Sequence, residues 1–349
     1  MAGVGKILKR VFLVILLLVL IVVIVEWDLV KYGIEQGRGQ MHIIWNAKPV
    51  EEYLASPTFP DSLKQKLLLI DRVRQFAIDS LGLNDTDNYK TMYDQKGRDV
   101  MWVVMASEPF RLEAKQWKFP VVGSVPYKGF FDESKAKRLA EELEKEGWDV
   151  NVRTPGGWST LGFFTDPILS GMLKRSEGDL ANLIIHEMSH ATIFVKDNVD
   201  FNENLATFIG DRGAEVFLTS VYGAESAEYI AYKNELSNDL KYSNHMLRGG
   251  EKLDSLYKTF SESDPVELKT RKKKEMIQQI VNSLDTLTLQ GSSTKPSLRF
   301  RDRLPNNAYF MNYIRYQSQQ DVFMREFEQE FNGDLRAYIR QLREKHPFL

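Results

Sequence analysis

Apolar residues recur at helical spacing in three stretches of the first two thirds of the chain. From 63 to 81 they fall three or four positions apart, and the stretch ends at a glycine. The same spacing appears from 180 to 194 and again from 201 to 217, with a polar segment between them. The pattern predicts a core helix and, later, two helices joined by a tight turn, with Asp179 as the N-cap of the first of the pair.

Short runs of apolar and β-branched residues between these helices predict strands. They lie at 100–105, 121–125 and 148–152, and each is bounded by proline, glycine or charged residues. Between the last two, residues 132–147 show an amphipathic pattern rich in glutamate and lysine, which predicts an exposed helix. Together these elements predict an α+β fold that is predominantly helical, with a small sheet packed beside helices.

The last third of the chain is polar and compatible with helices. Long runs at 222–260 and 265–289 show no strand alternation, and 322–342 is expected to close the domain as an amphipathic helix. Between them, 298–316 mixes arginine, asparagine and aromatic residues, which is unusual for a plain core helix or a plain loop. No internal repeat is evident. The length and composition allow one domain of about 300 residues or two small ones.

The strongest apolar run lies at the N-terminus and predicts a membrane anchor. As a helix, residues 11–25 would span about 22 Å, against about 30 Å for the hydrocarbon core of a bilayer. Apolar neighbours extend the run, and basic residues precede it. We therefore predict a transmembrane helix at 11–30, residues 1–10 in the cytoplasm, 31–60 as a linker and surface segment, and a domain at 61–349.

This orientation places the domain outside the inner (cytoplasmic) membrane, on the periplasmic or extracytoplasmic side, with a single membrane pass. A cleaved signal peptide is the alternative. No small-residue cleavage site follows the apolar run, and Glu26, Trp27 and Asp28 stand there instead. An uncleaved anchor is therefore favoured.

Composition narrows the classes of partner and cofactor. Nucleic-acid-binding domains usually carry an excess of basic residues, whereas this chain has a formal net charge of −2. We therefore expect no nucleic-acid partner. The chain contains no cysteine, which rules out disulfides and thiolate metal sites. Nothing in the composition indicates an oligomeric state. The chain has only five histidines, so a metal-binding motif that contains two of them would rarely arise by chance.

Two of those histidines form a His-Glu-x-x-His pattern inside the predicted helix at 180–194. His186 and His190 are four residues apart, so both project from one helix face and can present ring nitrogens to a single ion. Glu187 projects about 100° away, which leaves its carboxylate free to act as a base. The pattern predicts a zinc site with Glu187 as a catalytic residue.

A catalytic zinc ion takes three protein ligands, so a third is expected from outside this helix. Glu203, in the following helix, is the preferred candidate because the intervening residues suffice for a helix reversal. In the alternative, Asp200 and Glu203 form a capping box and Glu203 only caps its own helix. The other candidates are Asp197, Asp200, Glu215 and His245.

The spacing of these residues resembles a known family. His-Glu-x-x-His followed after a short gap by Asn202-Glu203-x-x-Ala206 is similar to the bacterial predicted-aminopeptidase family of gluzincin-like zinc metallopeptidases. Further stretches resemble that family in the same order, over nearly all of the chain after residue 30: Tyr127–Asp132, Ser159–Pro167 and Asn306–Ala308. The resemblance implies a zincin-like domain that binds Zn²⁺ and acts on peptides.

In such peptidases a tyrosine or histidine stabilises the oxyanion, and the resemblance points to Tyr316, which follows the Asn306–Ala308 stretch. Packing in the core is the alternative role for Tyr316. A strand at 156–163 is a candidate for holding the substrate backbone, since its small residues allow close approach. An ordinary glycine turn is the alternative there.

These expectations combine into a membrane-anchored zinc peptidase, of the aminopeptidase type, in which Glu187 moves the proton during hydrolysis. Two other functions remain open from the sequence. The domain could be a membrane-tethered scaffold or binding module that retains a structural metal, or a zinc hydrolase of a non-peptide substrate. A structural zinc site normally has four protein ligands, so the number of ligands distinguishes the first alternative.

Overall fold

The computed structural model describes residues 2–120, 123–156, 165–291 and 294–346. The chain forms two compact units, Met1–Asn46 and Ala47–Leu349. The predicted substrate strand at 156–163 lies outside the described residues except for its first position, so it stays a prediction.

The first unit consists of two helices, α1 (Ala2–Val25) and α2 (Trp27–Asn46), separated by a turn at Glu26. This break corrects the predicted continuous span at 11–30, because the apolar run ends at the turn and the next helix starts with charged Asp28 in its first turn. In the described part of the chain, no helix combines the length and apolar character that crossing a membrane requires.

The second unit is predominantly helical, as the sequence predicts. Its helices follow in chain order: α3 (Val50–Ala55), α4 (Asp61–Phe76), α5 (Glu133–Lys145), α6 (Glu177–His190), α7 (Val199–Tyr222), α8 (Ala227–Tyr257), α9 (Val266–Ser283), α10 (Asn307–Gln317), α11 (Gln320–Phe331) and α12 (Leu335–Lys345). A π-helical turn at Ala77–Leu81 extends α4, so the predicted helix at 63–81 is confirmed.

In the part of this unit that the structure describes, there are eight short strands: β1 (Lys48–Pro49), β2 (Thr91–Tyr93), β3 (Trp102–Ser107), β4 (Trp117–Phe119), β5 (Gly123–Val125), β6 (Lys128–Phe130), β7 (Asp149–Arg153) and β8 (Ile168–Leu169). Within the described residues they form three small sheets, ordered β1-β2-β8, β6-β3-β7 and β4-β5. The strands predicted at 100–105 and 148–152 are found as β3 and β7, shifted by one or two residues.

The sheet β6-β3-β7 is antiparallel throughout, with Val104 opposite Val152 and Trp102 opposite Phe130. Helix α5 connects β6 to β7 and packs against β3 and β7. Helix α10 contacts the same two strands and also contacts α7 and α8. Since α7 packs along α6, helix α10 connects the sheet to the helix that carries the His-Glu-x-x-His pattern.

Two asparagines at the start of α10 fasten it to the sheet. Asn306 donates from Nδ2 to the carbonyl oxygen of Val150 at 2.8 Å. Asn307 is fully buried, its backbone N–H donates to Asp149 at 2.7 Å, and its Oδ1 accepts from the hydroxyl of Tyr257 at 2.7 Å. Buried polar groups that are fully hydrogen-bonded hold a unique packing arrangement. The Asn306–Ala308 stretch therefore has a structural role in placing α10.

The C-terminal prediction requires a correction. Residues 322–342 were expected to form one helix, but α11 ends at Phe331 and α12 begins at Leu335. Asn332 has φ 49° and Gly333 has φ 77°, and this left-handed pair ends α11. The N–H of Gly333 then bonds to the carbonyl of Phe327 at 3.1 Å. An asparagine–glycine pair is a helix stop signal that the amphipathic pattern conceals.

Helices α6 and α7 approach closely because glycines of α7 face α6. A Cβ atom placed on Gly210 would lie 2.9 Å from Oδ1 of Asn182 and 3.1 Å from Cβ of His186. One placed on Gly213 would lie 2.8 Å from Cγ2 of Ile185. No side chain fits at such distances without displacing its neighbour. The glycines thus set the separation of the two helices at the level of His186.

We expect Gly210→Ala to lower the free energy of unfolding by about 1–3 kcal/mol, because the added methyl group overpacks the α6–α7 contact. The carbonyl oxygen of Asn182 would lie 3.1 Å from the added methyl carbon, and as a backbone atom it cannot rotate away. The shift in the urea midpoint of the purified protein measures the effect.

Gly250→Ala in α8 is the matched control. A Cβ on Gly250 would meet only Cδ1 of Leu112 at 3.6 Å, an ordinary contact. Alanine has a higher helix propensity than glycine, so this variant should be unchanged or stabilised by up to about 1 kcal/mol. Equal destabilisation by Gly210→Ala and Gly250→Ala would contradict the close-approach explanation.

Candidate metal centre

The last turn of α6 brings the rings of the two predicted histidines together, the edge of one against the face of the other. The Nε2 atoms of His186 and His190 are 3.2 Å apart, and the rings are nearly perpendicular with centroids 4.9 Å apart. Their four-residue spacing on one helix produces this arrangement. Both ring nitrogens therefore point at one position beside the helix.

Helix α7 supplies the third predicted group. Oε2 of Glu203 lies 3.5 Å from Nε2 of His186 and 3.5 Å from Nε2 of His190. Of the residues that the structure describes, these three form the one group of histidine and acidic side chains close enough to hold a metal ion together. The structure thus brings together all three residues predicted as ligands.

The three donor atoms fit a zinc ion in spacing and in chemistry. Zinc bonds to imidazole nitrogen and carboxylate oxygen at about 2.0–2.2 Å, so two donors on a tetrahedral ion lie about 3.3–3.5 Å apart. The observed separations are 3.2, 3.5 and 3.5 Å. Two imidazole nitrogens and one carboxylate oxygen are also a donor set of catalytic zinc sites.

The pKa shifts at the site keep the Glu203 carboxyl in its anionic form. Burial would raise the pKa of the Glu203 carboxyl, but the charge of His190 and hydrogen bonds from both imidazoles lower it below its ordinary range. Burial would lower the pKa of His190, but the charge and hydrogen bond of Glu203 raise it. A buried anionic carboxylate requires a positive charge nearby. A proton on an imidazole or a bound metal cation can provide that charge.

The alternative role for Glu203, as part of a capping box, is not what the structure shows. The N-cap of α7 is Asn198, whose Oδ1 accepts from the backbone N–H of Phe201 at 3.2 Å. The capping-box partner three residues after Asn198 would be Phe201, which has no acceptor. Asp200 instead pairs with Nε of Arg315 at 3.3 Å. Glu203 is therefore free of a capping function.

The remaining candidate ligands lie elsewhere. Glu215 pairs with Arg212 on its own helix, and His245 has Nε2 2.9 Å from the carbonyl oxygen of Ile280. Asp197 has φ 59° in the connection between α6 and α7. None of the three belongs to the group of His186, His190 and Glu203.

Glu187 occupies the position that the sequence gives it, next to His186 on α6 but outside the donor group. Burial raises the pKa of its carboxyl, although the charges of His186 and His190 oppose the rise. The carboxylate is thus a stronger proton acceptor than an exposed glutamate.

Tyr316 is brought to the site by contacts between α10 and α7. Asn204, the neighbour of Glu203, donates from Nδ2 to the carbonyl of Arg315 and accepts at Oδ1 from the N–H of Gln319 at 2.9 Å. The hydroxyl of Tyr316 accepts a hydrogen bond from Nη2 of Arg153 at 2.9 Å. Burial raises the pKa of Tyr316, and the charge of Glu203 raises it further, so the phenol keeps its proton.

A second tyrosine at the site is one that the sequence did not single out for chemistry. Burial and the charge of Glu203 raise the pKa of Tyr127 to about 12. It follows β5 and belongs to the Tyr127–Asp132 stretch, which the sequence marks only through its family resemblance. Arg153 was also missed, because it closes a strand predicted on its apolar residues alone.

Comparison with known proteins identifies a family. The family model described as "Putative aminopeptidase" matches residues 31–346. Comparisons with curated proteins and with solved structures give no match. The zincin-like classification of the fold therefore stays a prediction.

Proposed function

Because the chain belongs to the putative aminopeptidase family, we propose that it is a zinc-dependent aminopeptidase with His186, His190 and Glu203 as the metal ligands. The observation that carries this proposal is the triangle of donor atoms, with separations of 3.2, 3.5 and 3.5 Å that suit one tetrahedral ion. Peptides are the substrate class that the family implies.

A bound zinc ion would polarise the scissile carbonyl and make a water molecule more acidic. Side chains of the protein would transfer the proton of this water molecule. Glu187 accepts a proton from the attacking water at its carboxylate and transfers it to the nitrogen of the leaving amine. Its position beside the ligands, but outside their group, leaves the carboxylate available for this transfer.

The hydroxyl of Tyr316 donates a hydrogen bond to the oxygen of the scissile carbonyl as negative charge develops there. The contacts of Asn204 with α10 support this role, because they hold Tyr316 beside the helix that carries Glu203. The role also agrees with a phenol that remains protonated.

A structural metal is the less favoured alternative. Structural zinc sites are normally closed by four protein ligands, whereas three converge in the described part of this chain. A catalytic site retains an open position for water or substrate, and three ligands are compatible with that arrangement.

The test is digestion of peptides by the purified full-length chain, followed by mass spectrometry. We expect residues to be removed one at a time from peptides with a free amino end, and no cleavage of the same peptides after N-acetylation. Chelation should abolish cleavage, and added zinc should restore it.

Two results would contradict the proposal in different ways. Cleavage of acetylated and free peptides at equal rates would show an endopeptidase instead of an aminopeptidase. Cleavage that persists after complete removal of metal would exclude zinc dependence.

A further inference from the structure

We propose that Arg153 is a positioning residue that fixes the hydroxyl of Tyr316 as a hydrogen-bond donor facing the metal centre. Arg153 is the last residue of β7, and Tyr316 lies near the end of α10. The inference rests on the proposed function, in which Tyr316 donates to the substrate carbonyl.

The direction of the hydrogen bond carries the argument. Nη2 of Arg153 is 2.9 Å from the hydroxyl oxygen of Tyr316, and Cζ lies 5.5 Å from the ring centroid. A guanidinium group has donors only, so the phenol oxygen must accept. The hydroxyl hydrogen is then turned away from Arg153, towards whichever acceptor approaches from the other side.

The hydrogen of that hydroxyl has no acceptor among the described residues, where the hydroxyl makes only the bond from Arg153. Asn204, which follows Glu203 in α7, hydrogen-bonds to the backbone on both sides of Tyr316. These contacts hold Tyr316 beside the helix that carries Glu203, so in the proposed function the available hydrogen can bond to the oxygen of an incoming carbonyl.

The charge of Arg153 is also not neutralised by any carboxylate that the structure describes, and its Nε is buried without a hydrogen-bond partner there. The neighbouring Arg315 differs, since it pairs with Asp200 at 3.3 Å. A buried guanidinium N–H without a hydrogen-bond partner costs free energy. A cation beside the phenol oxygen makes the O–H group a stronger hydrogen-bond donor. The arrangement thus lowers stability but strengthens the donor that the proposed reaction needs.

The chain contains a matched pair remote from the donor group. Arg299 donates from Nη1 to the hydroxyl of Tyr242 at 3.2 Å, and its Cζ lies 5.4 Å from that ring centroid. The two pairs share their chemistry and nearly share their geometry. Arg299→Leu is therefore the control for Arg153→Leu.

The first measurement requires neither metal nor substrate. In metal-free protein labelled with [ζ-¹³C]tyrosine, the resonance missing from Tyr316→Phe identifies Tyr316. We expect Arg153→Leu to shift that resonance, Arg153→Lys to shift it less, and Arg299→Leu to leave it in place. An unchanged Tyr316 resonance in folded Arg153→Leu protein would overturn the proposal.

The second measurement is a double-mutant cycle on peptide hydrolysis. We expect Arg153→Leu to lower kcat by about 10²-fold with KM nearly constant, since loss of one oriented oxyanion donor has effects of this order. In the Tyr316→Phe background the same change should have less than about a twofold effect. Zinc content and unfolding temperature should match the parent in every variant that is compared.

The outcomes separate this proposal from the proposed function. If the fold-loss of kcat in the double variant equalled the product of the two single losses, Arg153 would act independently of Tyr316. That result would overturn the inference. If Arg153→Leu does not fold, Arg153→Lys takes its place, and an unchanged Tyr316 resonance together with unchanged kcat in the Arg153→Lys protein overturns it equally. An inactive parent would contradict the proposed function, while the resonance of Tyr316 would still decide the positioning role.

Discussion

Replacing Glu187 with glutamine is expected to lower kcat for peptide hydrolysis by about 10²–10⁴-fold while the metal and the fold are retained. The amide has nearly the same shape as the carboxylate but cannot accept the proton of the attacking water. Glu187 lies outside the group of donor atoms, so zinc content should not change. The measurements are kcat, bound zinc per chain and the unfolding temperature.

Glu177→Gln provides the control on the same helix. Glu177 is the first residue of α6, more than two turns before the histidines, so its replacement should leave kcat within about twofold of the parent. Peptide cleavage by zinc-replete Glu187→Gln protein at a rate within a few-fold of the parent would show that another group transfers the proton. The metal site could then be correct and the assigned base wrong.

The second large effect is the loss of the metal itself. His186→Ala or His190→Ala is expected to empty the site, and Glu203→Gln to weaken binding strongly, because each change removes one of three donor atoms that lie 3.2–3.5 Å apart. Zinc that binds only the folded parent at 100 times its Kd stabilises it by about 2.7 kcal/mol. The variants should lose that response to added zinc in thermal unfolding.

His245→Ala is the matched control, since His245 contacts the carbonyl of Ile280 and does not belong to the donor group. It should retain both the bound zinc and the zinc-dependent rise in unfolding temperature. Full occupancy in the Glu203→Gln protein would transfer the ligand role to another carboxylate. Full occupancy in both histidine variants would place the metal elsewhere.

The candidate site was predictable from the sequence to the extent that its residues are close in the chain. His186 and His190 are one helical turn apart, so the periodicity of α6 sufficed to place their nitrogens together. The prediction for Glu203 needed only that a second helix should fold back on the first. The start of α6 was less well predicted, because Ser176 and not Asp179 is the N-cap.

What the sequence could not show depends on contacts between distant segments. Arg153 and Tyr316 are 163 positions apart, and neither occurs in a local pattern that specifies the other. Their contact follows from the packing of α10 on β7, which Asn306 and Asn307 secure. A period of apolar residues predicts an element but not its neighbours.

The break in the predicted helix at 11–30 has a local cause. The apolar run ends at Val25, and the structure places a turn at Glu26. The predicted location of the domain outside the cytoplasmic membrane, which depended on that span, stays a prediction.

The α6–α7 pair also bears on how the site would assemble during folding. The three proposed ligands lie between residues 186 and 203, so bringing them together closes only a short loop. The entropic cost of loop closure rises with loop length. The contact between Arg153 and Tyr316 closes a loop of 163 positions and has high contact order. We therefore expect a nascent or partly unfolded chain to bring the proposed ligands together on one helical hairpin before the proposed donor Tyr316 is in place.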